Sequence, residues 1–151
     1  IMVMDAGKIV QMGTPGELFD RPNTTFVGYF IGAPAMNLFD ASVVDEHKIE
    51  VNGHKLAVTP SLSGINTDNL KLGIRAENMS LTNEPPAGQN ALPLEINRVD
   101  DYGNYKLVLG KFGGFDAKVK VERDHVVGQG PTFMTFASDK ACLYINEQLF
   151  S

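Results

Sequence analysis

Residues 48–58 read KIEVNGHKLAV. Asn52-Gly53 stands between two runs in which apolar and polar residues alternate. That pairing of signals marks a two-residue β-hairpin, because a type I′ turn needs positive φ at both central positions. Ile49 and Val51 share one face before the turn, and Leu56 and Val58 share it after. Gly53 is expected to carry this turn.

The same period continues downstream. In NLKLGIR, residues 69–75, Leu70, Leu72 and Ile74 alternate with Lys71, Gly73 and Arg75. LPLEI at 92–96 sets Leu92, Leu94 and Ile96 on one side. YKLVLGKFGGFDAKVKVE at 105–122 reads as a second hairpin around Gly113-Gly114, with Gly114 expected to carry the turn. PTFMTF and ACLYI, at 131–136 and 141–145, add two strands. NEPPAGQN at 83–90 is a loop by composition. Short strands with regularly spaced turns predict a mainly β chain, a small barrel or sandwich. Its expected core is Leu56, Val58, Leu72, Ile74, Leu94, Ile96, Leu107, Leu109, Val119, Val121, Phe136 and Leu143.

Upstream the pattern differs. IMVMDAGKIVQMG at 1–13 reads as strand, turn and strand, with Gly7 suited to positive φ. In TPGELFDRP, Thr14 and Glu17 form a capping box, Pro15 fits the first helical position and Pro22 stops the helix. In TTFVGYFIGAPAMN at 24–37, Phe26, Val27, Phe30 and Ile31 make one apolar helical face; Asn23 or Thr24 can cap it and Gly32 can end it. A hairpin and two short helices over residues 1–33 bury too little for a core of their own. An apolar strand at the first residue suggests a truncated chain.

The 151 residues carry a net charge of −5, and 43% are hydrophobic. An acidic balance speaks against a nucleic-acid binder, whose affinity rests on phosphate contacts. No apolar run reaches the roughly 20 residues of a membrane-spanning helix. A single cysteine, Cys142, allows no internal disulfide. Chemistry-bearing residues are scattered. His47, His54 and His125 lack ligand-like spacing. Asp100-Asp101 before Tyr102-Gly103 reads as a solvated turn rather than an acid–base pair. Cys142 lies in a strand-like run as a small hydrophobe. Lys118 and Lys120 read as a solvated face, and Phe112-Gly113-Gly114-Phe115 as a turn between core rings rather than a base-stacking platform. The phosphate loop G-x-x-x-x-G-K-[ST] does not occur; Gly7-Lys8 and Gly110-Lys111 lack the upstream glycine. The residues nominate no catalytic, cofactor or metal site.

Two stretches carry a family resemblance. Residues 1–39 resemble the end of the nucleotide-binding domain in ATP-binding subunits of ABC sugar importers, of the maltose and glycerol-3-phosphate uptake type. The pattern is met at Asp5, Gly7, Ile9, Gly13, Thr14, Pro15, Glu17, Leu18 and Phe19, and again at Phe26, Val27, Phe30, Ile31, Gly32, Pro34, Met36 and Asn37. LGIRAEN then resembles the family's L-G-[IV]-R-P-E-H at Leu72, Gly73, Ile74, Arg75 and Glu77, with Ala76 in place of Pro and Asn78 in place of His. INRVDDYGNYKLVL is a weaker match.

The resemblance implies a division into residues 1–33, the tail of an ATP-binding domain, and 34–151, a transport-associated OB-type regulatory domain built as one or two Greek-key barrels. The implied role is non-catalytic: regulation, and dimerisation with a second copy of the subunit. ATP and Mg would be bound outside this chain. The implied partners are membrane permease subunits and, in some relatives, inhibitory regulators, at the cytoplasmic face of the membrane. On this reading the apolar helix of 24–31 should lie against an ATPase core absent from the chain. Without it, residues 1–33 can fold back on the barrel, pair with a second copy or fray, and open strand edges favour pairing. Two other readings stand beside this one. One is an oxyanion-binding barrel of the molybdate type, whose S-A-R-N opening is absent here. The other is an OB-fold nucleic-acid binder.

Overall fold

A computed structural model describes all residues except 33, 66–68, 86, 126, 129 and 151, and all side chains of the described residues except those of Asp5, Val10 and Phe30. The chain is mainly β, with 49% strand and 12% helix. It opens with β1 (Met2–Asp5) and β2 (Lys8–Met12), then α1 (Pro15–Asp20) and α2 (Thr25–Phe30). The strands β3 (Asn37–Asp40), β4 (Ser42–Asp45), β5 (Lys48–Val51), β6 (His54–Ala57), β7 (Leu70–Ile74) and β8 (Ser80–Thr82) follow. Then come β9 (Asn90–Pro93), β10 (Glu95–Asp101), β11 (Tyr105–Phe112), β12 (Phe115–Glu122), β13 (Phe133–Phe136), β14 (Cys142–Ile145) and β15 (Gln148–Leu149).

Among the described residues the strands form small antiparallel sheets in the orders β15-β14-β7-β3, β8-β13-β9, β10-β11-β12 and β4-β5-β6, with β1-β2 apart. The first four enclose one core, in which Phe39, Ile49, Val51, Leu72, Ile74, Leu92, Val108, Phe112, Val119 and Met134 are fully or nearly fully buried. Phe39 meets Phe112 and Phe115 edge to face, with ring centroids 5.7 and 5.8 Å apart. That geometry suits the ring quadrupoles.

Two asparagines join sheets that have no common ladder. Asn37 Nδ2 donates to Lys118 O at 2.8 Å, while Lys118 N donates to Asn37 Oδ1 at 2.8 Å. Asn90 treats Ala57 likewise, donating to its carbonyl at 3.0 Å and accepting from its N–H at 2.9 Å. Each carboxamide supplies the donor and acceptor that a strand neighbour would have supplied, and each is buried.

Most of the expected core lies inside. Leu109 on β11 and Ile96 on β10 are the exceptions. The two-residue turn after β11 pairs Phe112 with Phe115, which directs Val108, Gly110 and Phe112 inward and Leu107 and Leu109 outward. Leu107 is buried on the outer side, between its cross-strand partners Asp100 and Lys120. Leu109 and Ile96 are half-buried, Ile96 packing against the core's margin. The turn itself corrects a second expectation. Gly113, not Gly114, has positive φ, +58°, as a type II′ turn requires at its first central position. A Cβ on Gly113 would collide with the Asn52 side chain of the neighbouring hairpin. In that hairpin Asn52 and Gly53 lie at φ +48° and +85°, as expected for type I′.

The N-terminal segment caps as its sequence predicts. Thr14 Oγ1 accepts from Glu17 N, and Glu17 Oε2 from Thr14 N, both at 3.2 Å. Thr24 Oγ1 accepts from Val27 N at 3.2 Å. Val3, Leu18 and Val27 make a small cluster with Phe26 and Ile31 beside it. Within this chain α2 packs on α1 and β1. Ile1, Met2, Met4, Ile9 and Met12 remain exposed along the ribbon. Phe30, expected on the apolar face of α2, has its side chain outside the described residues.

Candidate functional site

The chain's most unusual chemistry sits where α1 and α2 meet the outer face of the β15-β14-β7-β3 sheet. By alternation Lys71, Gly73 and Arg75 point away from the barrel interior. Two of them are nonetheless buried, because the helices cover that face. Gly73 leaves no room for a side chain: a Cβ there would stand 2.7 Å from Met36 Sδ and 2.9 Å from Tyr144 Cε2.

Arg75 is 1% exposed. Its Nε donates to Phe19 O at 3.1 Å and its Nη1 to Gly28 O at 2.9 Å. The guanidinium lies 4.3 Å from the Phe19 ring centroid, within cation–π range. Nη2 has no hydrogen-bond partner among the described residues. Burial holds the Arg75 pKa below its ordinary value, opposed chiefly by the Glu77 carboxylate.

Beside it Tyr144 donates its hydroxyl to Pro22 O at 2.9 Å. Cys142 offers its thiol to Asp20 O at 3.7 Å. Burial pushes the Tyr144 phenol and the Cys142 thiol above their usual ranges. The acceptors at Phe19, Asp20, Pro22 and Gly28 belong to helix ends and the link between them. The last carbonyls of a helix have no partner within it, and the barrel supplies one. The C-terminal strand completes the clasp: Thr25 N donates to Glu147 O at 3.0 Å, and Leu149 N to Asn23 O at 2.7 Å. The Thr25 hydroxyl bonds the Glu147 carboxylate, which also pairs with Lys71 at 2.7 Å.

This junction fastens rather than reacts. The Cys142 thiol is kept protonated, and it is the thiolate that attacks. Alongside it a groove of about 570 Å³ runs between the junction and the β10-β11-β12 sheet, floored by Leu38, Leu109 and Phe115 and rimmed by Tyr29, Asn97 and Lys118.

The residues weighed from sequence are dispersed. His47 is exposed, its Nε2 3.8 Å from Glu46. The His54 ring lies 5.6 Å from that of Phe112, and His125 lends its carbonyl to Lys106 Nζ at 3.2 Å. Asp100 pairs with Arg98 at 2.9 Å, and Asp101 caps Gly103 N at 2.8 Å, as a turn requires. Lys120 Nζ sits 4.4 Å over the Tyr105 ring. Among the described residues, no three His, Cys, Asp or Glu side chains are placed to hold a metal ion together. Reading by period alone missed Arg75, whose parity assigned it to solvent. The family motif containing it was the available signal, as it was for Asn37.

Residues 32–79 match the MalK OB fold domain. Over 114 residues, 76% of this chain and 30% of the relative, the sequence is 41% identical to an sn-glycerol-3-phosphate import ATP-binding protein, UgpC, of Vibrio vulnificus (strain YJ016). A protein of the same name from Ruegeria pomeroyi is 31% identical over 146 residues, 96% of this chain and 39% of the relative. The chain is similar to these UgpC proteins over most of its length and matches the MalK OB fold domain over residues 32–79. It corresponds to the C-terminal region of an ABC-importer ATP-binding subunit, and it spans 30% and 39% of these two relatives. In fold, this chain resembles the cytoplasmic molybdate-binding protein ModG, crystallised with molybdate bound. The TM-score is 0.59 at 13% identity, over 77% of this chain and 99% of that one. Arg75 and Asn37 both fall inside the matched domain.

Proposed function

We propose that this chain is a non-catalytic regulatory and dimerising part of the ATP-binding subunit of an ABC importer for sugars or related solutes. Residues 1–33 form the tail of its ATP-binding domain and 34–151 its OB-type regulatory domain. The observation that carries this reading is the junction of Arg75, Tyr144 and the β15 strand. It clamps the barrel to the helices that precede it, so a force applied at one is felt at the other. Within the importer the subunit works against membrane permease subunits at the cytoplasmic face, with regulators docking on the barrel. Among the described residues no helix is long and apolar enough to cross a membrane.

Sedimentation at micromolar concentration is the test. The 151-residue chain is expected to dimerise, and a version beginning at Pro34 to associate less, because the exposed apolar edge of β1 and β2 would be gone. A strictly monomeric chain refutes the dimerising role. ATP should be neither hydrolysed nor bound; measurable turnover refutes the non-catalytic reading. Calorimetry with molybdate and sulfate separates the oxyanion alternative, which requires saturable heat.

A further inference from the structure

β10 is seven residues long and forms an outer strand of the β10-β11-β12 sheet. The sheet's other outer strand, β12, is met by Asn37, whose carboxamide bonds Lys118. The backbone phase of β10 follows from its hairpin. Tyr102 N donates to Tyr105 O at 2.9 Å, so these two form a hydrogen-bonded pair. In an antiparallel ladder such pairs alternate with pairs whose N–H and C=O groups turn away from each other. The register runs unbroken from Asp101↔Lys106 to Arg98↔Leu109. Asp100 and Arg98 therefore turn their backbone toward β11, and Val99 and Asp101 turn theirs outward. Among the described residues no further strand pairs with that edge. Val99, at its middle, is 39% exposed.

An open edge recruits a strand, and the sequence of this one specifies which. Arg98 and Asp100 lie on one face of β10 and pair at 2.9 Å. Set antiparallel against a second β10 with Val99 on the two-fold axis, Arg98 of each copy stands directly opposite Asp100 of the other. Neighbouring charges along and across the strands are then all of opposite sign, the favourable cross-strand arrangement. The backbone agrees, because two outward residues placed directly opposite exchange both N–H···O bonds. Other positions of the axis fail. At Asp101 it would oppose two carboxylates. At Asn97 it would fall in the β10 bulge, where Asn97 has no partner on β11. With Val99 central, the ladder runs from Asn97 to Asp101 and stops at the bulge on one side and the turn on the other.

We propose that β10 pairs with β10 of a second copy about a two-fold axis at Val99, joining two sheets into one, with Arg98–Asp100 ion pairs across the seam. The inference rests on the dimerising role proposed above and assigns it a surface separate from β1 and β2.

A ladder this short buries little area and belongs with weak, reversible contacts. Amide hydrogen exchange in the full chain, followed from about 10 µM to 1 mM, tests it. The Val99 amide should gain protection as concentration rises. The Asp100 amide, already bonded to β11, should not change. Arg98→Asp places like charges across the seam twice and should raise the required concentration about tenfold. Adding Asp100→Arg restores opposite signs and should restore the protection, which a damaged fold would not allow. Protection of Val99 that is independent of concentration overturns the proposal, as does a double variant that fails to recover. Dimerisation with Val99 still exchanging freely also overturns it while leaving the dimerising role in place. A chain monomeric throughout overturns both.

Discussion

Residues 1–32 and the barrel that follows are held together by different forces. The barrel closes around a continuous apolar core to which each of its sheets contributes. Among the described residues, the N-terminal segment has three buried apolar side chains in its own cluster and leaves Ile1, Met2, Met4, Ile9 and Met12 in water. Its attachment to the barrel rests largely on directional bonds: a guanidinium, a phenol, a thiol and two backbone amides, Thr25 N and Leu149 N, all directed at carbonyl oxygens. Apolar burial is non-directional and tolerates small shifts, whereas hydrogen bonds weaken steeply once misaligned. One region is thus stable by mass, the other by alignment.

Phe39→Ala strikes the barrel where it is densest and should cost about 3–5 kcal/mol. Thermal melting should show both regions lost together; if the N-terminal segment kept its structure, the dependence argued here would fail. Arg75→Met removes the alignment and leaves the core. It leaves Phe19 O without its donor, while Gly28 O keeps Met36 N at 3.2 Å, and should cost about 1–3 kcal/mol. Hydrogen exchange should accelerate across 25–31 and leave β7 and β14 protected, and uniform acceleration would abolish the distinction between the regions. Within the barrel, Gly113→Val should cost about 1–3 kcal/mol for a strained left-handed residue, and Gly114→Val distinctly less. Chemical denaturation of the two variants decides it, and equal losses would reassign the turn. Thr14→Ala should cost about 1 kcal/mol, seen as fraying of α1 with the barrel melting unchanged.

The last effect is nil at neutral pH. Cys142 and Tyr144 are both buried in their protonated forms, so the native state holds those protons above the pH at which the unfolded chain releases them. Their contribution is complete below the unfolded thiol's value, about 8.5. It is lost as pH rises through the raised native values, Cys142 first and Tyr144 in stronger alkali. Tyr144→Phe should flatten the alkaline limb of a stability–pH curve measured by denaturant titration.

The barrel was legible in the sequence because period two is local: Leu70, Leu72 and Ile74 announce their face within five residues. The caps at Thr14 and Thr24 were legible for the same reason. Leu109 misled because both parities of β11 are apolar, and the turn, not the pattern, chose between them. Gly113 and Gly114 are chemically identical, so only the turn type separates them. Arg75 was invisible to alternation, since a sheet covered on its second face gives no local sign of what covers it. The covering helices lie more than 40 residues upstream, and Asn37 meets Lys118 across 81 residues.

That distance has a consequence in time. Pro22 and Tyr144 are separated by 122 residues, as are Thr25 and Glu147. At about 5–20 residues per second a ribosome needs roughly 6–24 s to make the second member of each pair after the first. Throughout that interval α1 and α2 exist without their clasp. Their full docking waits for residues 142–149, and a nascent chain paused before Cys142 would present both helices to any chaperone at the exit tunnel.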